Sequence, residues 1–383
     1  MPLLKKNVMI YVQHLLGIGH LRRSWFFACA LAERDIEVNL VSGGFPVSGL
    51  SHKKIHFHQL PPVRSLDGHF DRLVDENNQP IDDDWKQRRR DALLRLYDDI
   101  NPALIVTETF PFGRRMMRFE LIPLLEKARQ QKNAPIIVAS IRDILQPKSK
   151  PGRDQEVLDW ANDYYDYIFI HGEKKLTPLS LTFPFADQLK DRLCYTGYIT
   201  DQQFDRQQSD DGDEEIIVSG GGGAASLKLL KSAIAAKSFS KNSKRTWRLL
   251  VGHNLDEATF QFLKQSAPEG IIVERNRDDF SGLLARCAVS VSQAGYNTVM
   301  DILKQQCRAV LVPYAEADEV EQSLRTAQLD KMGRVVSLSE ADLNAENLAK
   351  AIDKAADMPI PQIEVNLDGA NRSAQLIKQL INA

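Results

Sequence analysis

The chain has 383 residues, a net charge of −2, 43% hydrophobic and 26% charged residues, which is long enough for two domains with separate cores. That balance gives no reason to expect a nucleic-acid partner, and no apolar run reaches the roughly 18 residues that a membrane span needs. Cys29, Cys194, Cys287 and Cys307 have no paired spacing and read as reduced residues, not as a disulfide framework or a zinc site. With an N-terminus that leads straight into a strand and not into a signal peptide, the cytoplasm is the expected location.

Asn-Val-Met-Ile-Tyr-Val-Gln, residues 7–13, predicts a first buried strand. It runs into His14-Leu-Leu-Gly17-Ile-Gly19-His20, with a helix expected from about Leu21 to Arg34. Val38–Ser42 is a second strand, followed by a long polar helix around Asp84–Asp99, a strand at Ala103–Thr107 and a helix near Met116–Gln131. Strands at Pro135–Ser140 and Tyr167–His171 complete this half. The alternation argues for a parallel sheet with helices on both faces. Ligands collect beyond the carboxyl ends of such strands, where His20, Glu108, Arg142, Asp143 and His171 are expected to stand.

As a dinucleotide fingerprint Gly17-Ile-Gly19-His20 is incomplete, because an arginine, Arg22 or Arg23, replaces the third glycine. The glycines still allow close backbone approach, and a histidine at a helix start titrates near neutrality and can take a proton from a hydroxyl. A purely structural histidine is the alternative. The run Phe110-Pro-Phe-Gly-Arg114-Arg115 is suited to an anionic or lipid-linked ligand, or else is a loop whose arginine stems cover apolar surface. His52, His56 and His58 read as an exposed strand, and Asp82-Asp83-Asp84 as a solvated helix start. No metal site is expected.

Thr200–Glu215 is rich in Asp and Gln and reads as an interdomain linker. A second α/β unit then restarts with Glu215-Ile-Ile-Val-Ser and the run Gly220-Gly221-Gly222-Gly223, which lacks Walker spacing. Four glycines between a strand and a helix suit close backbone approach, or a mobile turn. Strands are expected at Trp247–Val251, Gly270–Glu274, Ala288–Ser292 and Ala309–Pro313, and an amphipathic helix at Asn366–Ala383. After Ala288–Ser292 a tight turn at Gln293–Gly295 leads into a helix opening near Asn297, taken as its N-cap, with Thr298 in the first turn. Such a junction aims free N–H groups and the positive end of the helix dipole at one point, which suits a phosphate. Asp301, about one turn in, suits a ribose diol. The layout is therefore domain 1–199, linker 200–215, domain 216–365 and a C-terminal helix 366–383 that is a candidate to pack back on the first domain.

With both halves laid out, the sequence resembles the GT-B glycosyltransferases of the group containing MurG, the bacterial lipid-linked GlcNAc transferase. The resemblance is most specific over 270–333. Asn276-Arg277-Asp-Asp-Phe looks like the family's base-binding loop, and Ser292–Asp301 like its strand–turn–helix, with Asp301 where the family carries a ribose-binding Glu. Glu321-Gln322 matches the paired glutamines that hold the donor sugar. Gly17–His20 resembles the glycine–histidine loop beside the acceptor, and Ser219–Ala224 the second glycine loop. Three departures stand out: Gly221 replaces a serine, Asp201 stands near an expected arginine, and Glu321 replaces the first glutamine.

The resemblance implies two Rossmann-like domains facing each other across a cleft, and an inverting, metal-independent transfer from a nucleotide-diphosphate sugar, with UDP the expected nucleotide, to a hydroxyl acceptor. It places Gly220, Gly221, Gly222, Gly223, Asn276, Arg277, Gly295, Asn297, Thr298, Asp301, Glu321 and Gln322 at the donor. His20 becomes the base, with Asp143 and Glu108 as alternatives, and Gly17, Gly19, Arg114, Arg115 and Arg142 serve the acceptor. No cofactor is implied, and the acceptor is either anionic or lipid-linked, with peripheral membrane contact and a cell-surface polysaccharide setting, or a small secondary metabolite. Two rivals remain: a nucleotide-sugar 2-epimerase, which would convert donor without acceptor, and a silent nucleotide-sugar-binding protein, which would bind without turnover.

Overall fold

The structure, a computed structural model, describes residues 7–15, 17–66, 72–148, 150–200, 211–220, 226–314, 320–360 and 365–382. Its contacts divide the chain into one unit of Met1–Thr200 with Asp368–Ala383, and a second of Asp201–Leu367. Residues 201–210, most of the expected linker, lie outside the described residues, as do Gly221, Gly222 and Gly223.

In the first unit the elements follow as β1 (Asn7–Val12), α1 (Gly19–Ala32), β2 (Glu37–Ser42), β3 (Ile55–Gln59) and a small antiparallel pair, β4 (Arg64–Ser65) with β5 (Leu73–Val74). Then come α2 (Asp83–Ile100), β6 (Leu104–Glu108), α3 (Arg118–Arg129), β7 (Ile136–Arg142), α4 (Arg153–Tyr164), β8 (Tyr167–His171) and β9 (Leu193–Tyr195). The parallel sheet runs β3-β2-β1-β6-β7-β8-β9. Alternate residues of β1 face opposite layers, as strand geometry requires. Val8, Ile10 and Val12 share a core with Leu21, Phe27 and Leu31 of α1. Met9 and Tyr11 join Leu93 and Tyr97 of α2 and Leu121, Leu124 and Leu125 of α3. Each such fully buried side chain contributes about 1.5–3 kcal/mol, an upper estimate. Asp82 caps α2 by accepting from the Trp85 N–H at 2.7 Å, as a solvated acidic helix start should. The helix expected at Met116 instead opens with one tight turn at Arg115–Met117 before α3 begins.

The second unit repeats the logic: β10 (Ile216–Ser219), α5 (Ser226–Ala236), β11 (Trp247–Val251), α6 (Glu257–Ser266), β12 (Ile271–Arg275), α7 (Phe280–Arg286) and β13 (Val289–Gln293). There follow α8 (Tyr296–Gln305), β14 (Ala309–Val312), α9 (Glu321–Lys331), β15 (Val336–Ser337) and α10 (Ala345–Asp357). Its parallel sheet runs β12-β11-β10-β13-β14-β15. The last helix, α11 (Gly369–Leu380), belongs to the first unit: Ala374 and Ile377 enter the core beneath α1. Gly369 enters where no side chain fits, since a Cβ there would lie 2.3 Å from the Gly197 carbonyl oxygen.

Candidate functional site

Both sheets reverse their strand order once. In the first unit the chain leaves β1 toward β2 on one side and β6 toward β7 on the other; in the second it does so from β10 and β13. A doubly wound sheet opens a ligand crevice at such a switch point, outside the carboxyl ends of the two strands. His20 and Glu108 stand at the first of these places, and Gly220 and Gly295 at the second.

At the β1/β6 point, His20 is the second residue of α1 and Glu108 the last of β6. His20 Nδ1 lies 2.8 Å from Glu108 Oε1. Arg23, one helical turn beyond His20, ion-pairs with the same carboxylate oxygen and approaches His20 Nδ1 at 3.4 Å. Glu108 is 1% exposed; burial alone would raise its pKa, but His20 and Arg23 hold it well below the usual carboxylate range. An ionised carboxylate only accepts hydrogen bonds, so Nδ1 carries the proton and Nε2 the basic lone pair. Burial lowers His20 to about 4, with Arg23 and Arg114 pushing the same way against Glu108. The side chain nevertheless keeps 20% of its surface open.

Arg114 donates from Nε to the Gln13 carbonyl at 3.0 Å; burial lowers its pKa, Glu108 opposes that, and Arg142 and Arg23 add to it. Arg142 ends β7, its Nη2 3.8 Å from where a Cβ on Gly19 would stand. A Cβ added to Gly17 would meet no protein atom within 4 Å. Arg115 does not join this group: Glu156 of α4 holds it through both carboxylate oxygens at 2.5 and 2.8 Å. Asp143, 1% exposed, accepts from Thr177 Oγ1 at 3.3 Å and packs against Gly172. Burial therefore counts against Asp143 and Glu108 as freely accessible bases. His171 is structural, wedged between Ser140 Oγ at 2.7 Å and Thr196 Oγ1 at 2.8 Å, and burial lowers it to about 3.

At the β10/β13 point, Gly220 follows β10, and a Cβ there would come within 2.3 Å of Ser226 Cβ and 2.8 Å of Ser226 Cα. Close packing of the α5 start thus requires that glycine. Gly295 is the residue before α8, with φ −59°, and an added Cβ would meet no protein atom within 4 Å. The N-cap is Gly295, and Asn297 stands inside the first turn beside Thr298. With tyrosine at 296 already helical, the cap falls two residues earlier than the Asn297 side chain suggested. Asp301 follows one turn later on α8, half-buried. Asn276 lies just past β12, its N–H bonded to the Val251 carbonyl at 3.0 Å. The Arg277 side chain is committed to Asp279 at 2.6 and 2.7 Å and to Asp211 at 2.6 Å, so it fixes that loop in place.

Glu321 and Gln322 open α9. Gln322 Oε1 accepts from the Tyr314 N–H at 3.1 Å, and Glu321 pairs with buried Arg325 at 2.9 Å. Arg325 lies over the Tyr296 ring, 5.2 Å from its centroid, tying α9 to the start of α8. Arg23, Arg325 and Tyr296 were given no site role by the sequence; the spacing of Arg23 from His20, and of Arg325 from Glu321, was the available signal.

Among the described residues no group of three or more His, Cys, Asp and Glu side chains is placed to hold a metal, and no helix is long and apolar enough to cross a membrane. Residues 216–380 match the glycosyltransferase family 28 C-terminal domain. A stretch of 82 residues is 34% identical to the UDP-N-acetylglucosamine–N-acetylmuramyl-(pentapeptide) pyrophosphoryl-undecaprenol N-acetylglucosamine transferase of Bartonella henselae. That stretch spans 21% of this chain and 22% of the relative. Among solved structures, MurG of Acinetobacter baumannii aligns over 97% of this chain and 99% of its own, with TM-score 0.59 and 14% identity. UGT2 of Phytolacca americana, complexed with UDP-2fluoro-glucose and pterostilbene, aligns over 98% and 94%, with TM-score 0.61 and 14% identity. At such identities these two likenesses speak for the fold. The second unit thus carries a match to the glycosyltransferase family 28 C-terminal domain, and the fold of the chain is similar to that of MurG and other glycosyltransferases.

Proposed function

We propose that the protein transfers a sugar from a nucleoside-diphosphate donor, with UDP as the nucleotide, to an acceptor hydroxyl, with inversion and without a metal. The observation that carries this reading is the His20–Glu108 pair at the first switch point. His20 Nε2 takes the acceptor hydroxyl's proton as that oxygen attacks the anomeric carbon, and the bond to the diphosphate oxygen breaks in line. Glu108 fixes the imidazole tautomer and stabilises the imidazolium that forms, while Arg23 keeps Glu108 ionised. One displacement inverts the anomeric centre, and one base suffices for it.

The second unit carries the donor in this reading. The open space at Gly295 and the α8 N-terminus suit the diphosphate, with Gly220 at the end of the adjacent strand. Asp301 takes the ribose diol and the backbone of Asn276 and Arg277 the base; Asn297 and Thr298 flank the phosphates, and Glu321 and Gln322 meet the sugar. Arg114 and Arg142 beside His20 favour an acceptor bearing a phosphate or carboxylate group. The Bartonella henselae relative is named for an acceptor on pyrophosphoryl-undecaprenol, and the same chemistry, a hydroxyl next to a lipid-linked diphosphate, fits this side. Such an acceptor would bring the protein to a membrane surface.

Nucleoside-diphosphate release and product anomer, measured with UDP-sugars and an excess of EDTA, test the reading. A β-linked product from an α-linked donor at undiminished rate is expected. Retained configuration, or activity restored only by a divalent cation, would overturn it. Donor converted to another sugar nucleotide with no acceptor present would instead favour epimerisation.

A further inference from the structure

Thr109, which immediately follows Glu108, has φ +68°. The Phe110 N–H bonds back to the Glu108 carbonyl at 2.9 Å, closing a three-residue γ-turn of the strained, positive-φ kind. A β-branched residue is a rare occupant of that region, and such outliers persist only where the surroundings over-determine them. Here they do. The Thr109 N–H donates to the Ser140 carbonyl at 2.8 Å, and its carbonyl accepts from the Gly113 N–H at 2.9 Å. Thr107 Oγ1 binds the Phe110 carbonyl from below at 2.8 Å, and the Phe110 ring stacks on Trp160 with centroids 5.3 Å apart. The Thr109 methyl occupies the place a Cβ on Gly113 would need, 2.5 Å away. With the methyl lodged there, Thr109 Oγ1 stands 3.4 Å from His20 Nδ1.

Glycine would relax this turn, yet a side chain with a hydroxyl occupies it. At His20 Nδ1 a single N–H faces the acceptor Glu108 Oε1, the donor-only guanidinium of Arg23 and the Thr109 hydroxyl. Arg23 repels that proton, and a hydroxyl supplies the second acceptor that opposes the ring's rotation. We propose that Thr109 is a positioning residue: its strained turn presents Oγ1 to His20 Nδ1 and fixes the imidazole plane beside Glu108. The inference rests on the proposed role of His20 and deepens it.

The imidazole 1H–15N spectrum of the full chain tests this without any substrate. The His20 Nδ1–H signal is identified by its loss in His20→Ala. Parent and Thr109→Ser should share a sharp signal, whereas Thr109→Val, which keeps the shape and loses the hydroxyl, and Thr109→Gly should exchange that proton at least about tenfold faster. Thr109→Gly should melt no lower than the parent, which separates positioning from loss of fold. With donor and acceptor supplied, kcat should fall about tenfold in the valine and glycine variants at unchanged donor KM, with serine close to the parent. Parent-like exchange in Thr109→Val, or a serine variant as impaired as valine, would overturn the proposal. Unchanged turnover in His20→Ala would instead remove the role on which it rests, so the two failures are distinguishable.

Discussion

An imidazole lowered to about 4 is unprotonated at Nε2 at neutral pH, whereas the carboxylate behind it stays charged because Arg23 and His20 oppose its protonation. His20→Ala is expected to lower turnover by roughly 10²–10⁴-fold with donor affinity nearly retained; parent-like steady-state kinetics in that variant would remove His20 from the reaction. Since the base must be neutral, activity should be lost as pH falls through the His20 titration. That places the acid limb of kcat/KM near pH 4, below the ordinary histidine value. Arg23 pushes the His20 pKa down, so Arg23→Gln should move this limb to higher pH, and a limb moved lower would contradict the assignment. The sequence identified His20 and Glu108 as separate candidates for one role. What it did not show is that they touch, because 88 residues separate them and only the β1–β6 pairing brings them together.

The two loops that follow β10 and β13 make opposite demands on their glycines. Gly220 is required by the protein itself, because a Cβ would strike the backbone and side chain of Ser226; Gly220→Ala should destabilise the second unit by about 1–3 kcal/mol. Gly295 has ordinary φ and empty space around it, so Gly295→Ala should leave the melting temperature near the parent's while weakening nucleoside-diphosphate binding about tenfold or more. A variant that melts early and binds normally would reverse the expected pattern. In the first unit Arg89 of α2, buried completely, ion-pairs with Glu120 of α3 at 2.8 Å and donates to the carbonyls of Gly43 and Pro61 and to Gln13 Oε1. Gln13 in turn holds Arg114 through its carbonyl. Arg89→Met leaves the Glu120 charge without its guanidinium partner and should cost about 3–5 kcal/mol in chemical denaturation. The strands and helices read from periodicity fall within a few residues of those found, but α4, α6, α7, α9, α10 and the short strands β9 and β15 were not read. The Arg89 network was not, because charged residues on a polar helix read as solvent-facing until the sheet covers them.

The first unit takes its last helix from the end of the chain, and each unit sets its candidate groups at one reversal of strand order. Glycine-containing turns after strands were visible in the sequence at Gly17–Gly19, Gly220 and Gly295. The strand order that sets Gly220 and Gly295 at the ends of adjacent strands depends on long-range pairing, which local patterns do not encode. Side-chain commitments were equally hidden: Arg115 and Arg277 look alike in sequence to Arg114, yet acidic partners hold both of them. In the proposed reading α8 and the turn before it receive a nucleoside diphosphate, with Asp301 on the ribose. Thermal unfolding with UDP, GDP, TDP and ADP, with and without magnesium, on the parent and on Asp301→Ala, tests it most directly. At about a hundred times its dissociation constant a ligand stabilises by roughly 2.7 kcal/mol. A shift with UDP that needs no magnesium and is lost in Asp301→Ala is expected; equal shifts in the two proteins, or none with any diphosphate, would remove the donor site from α8.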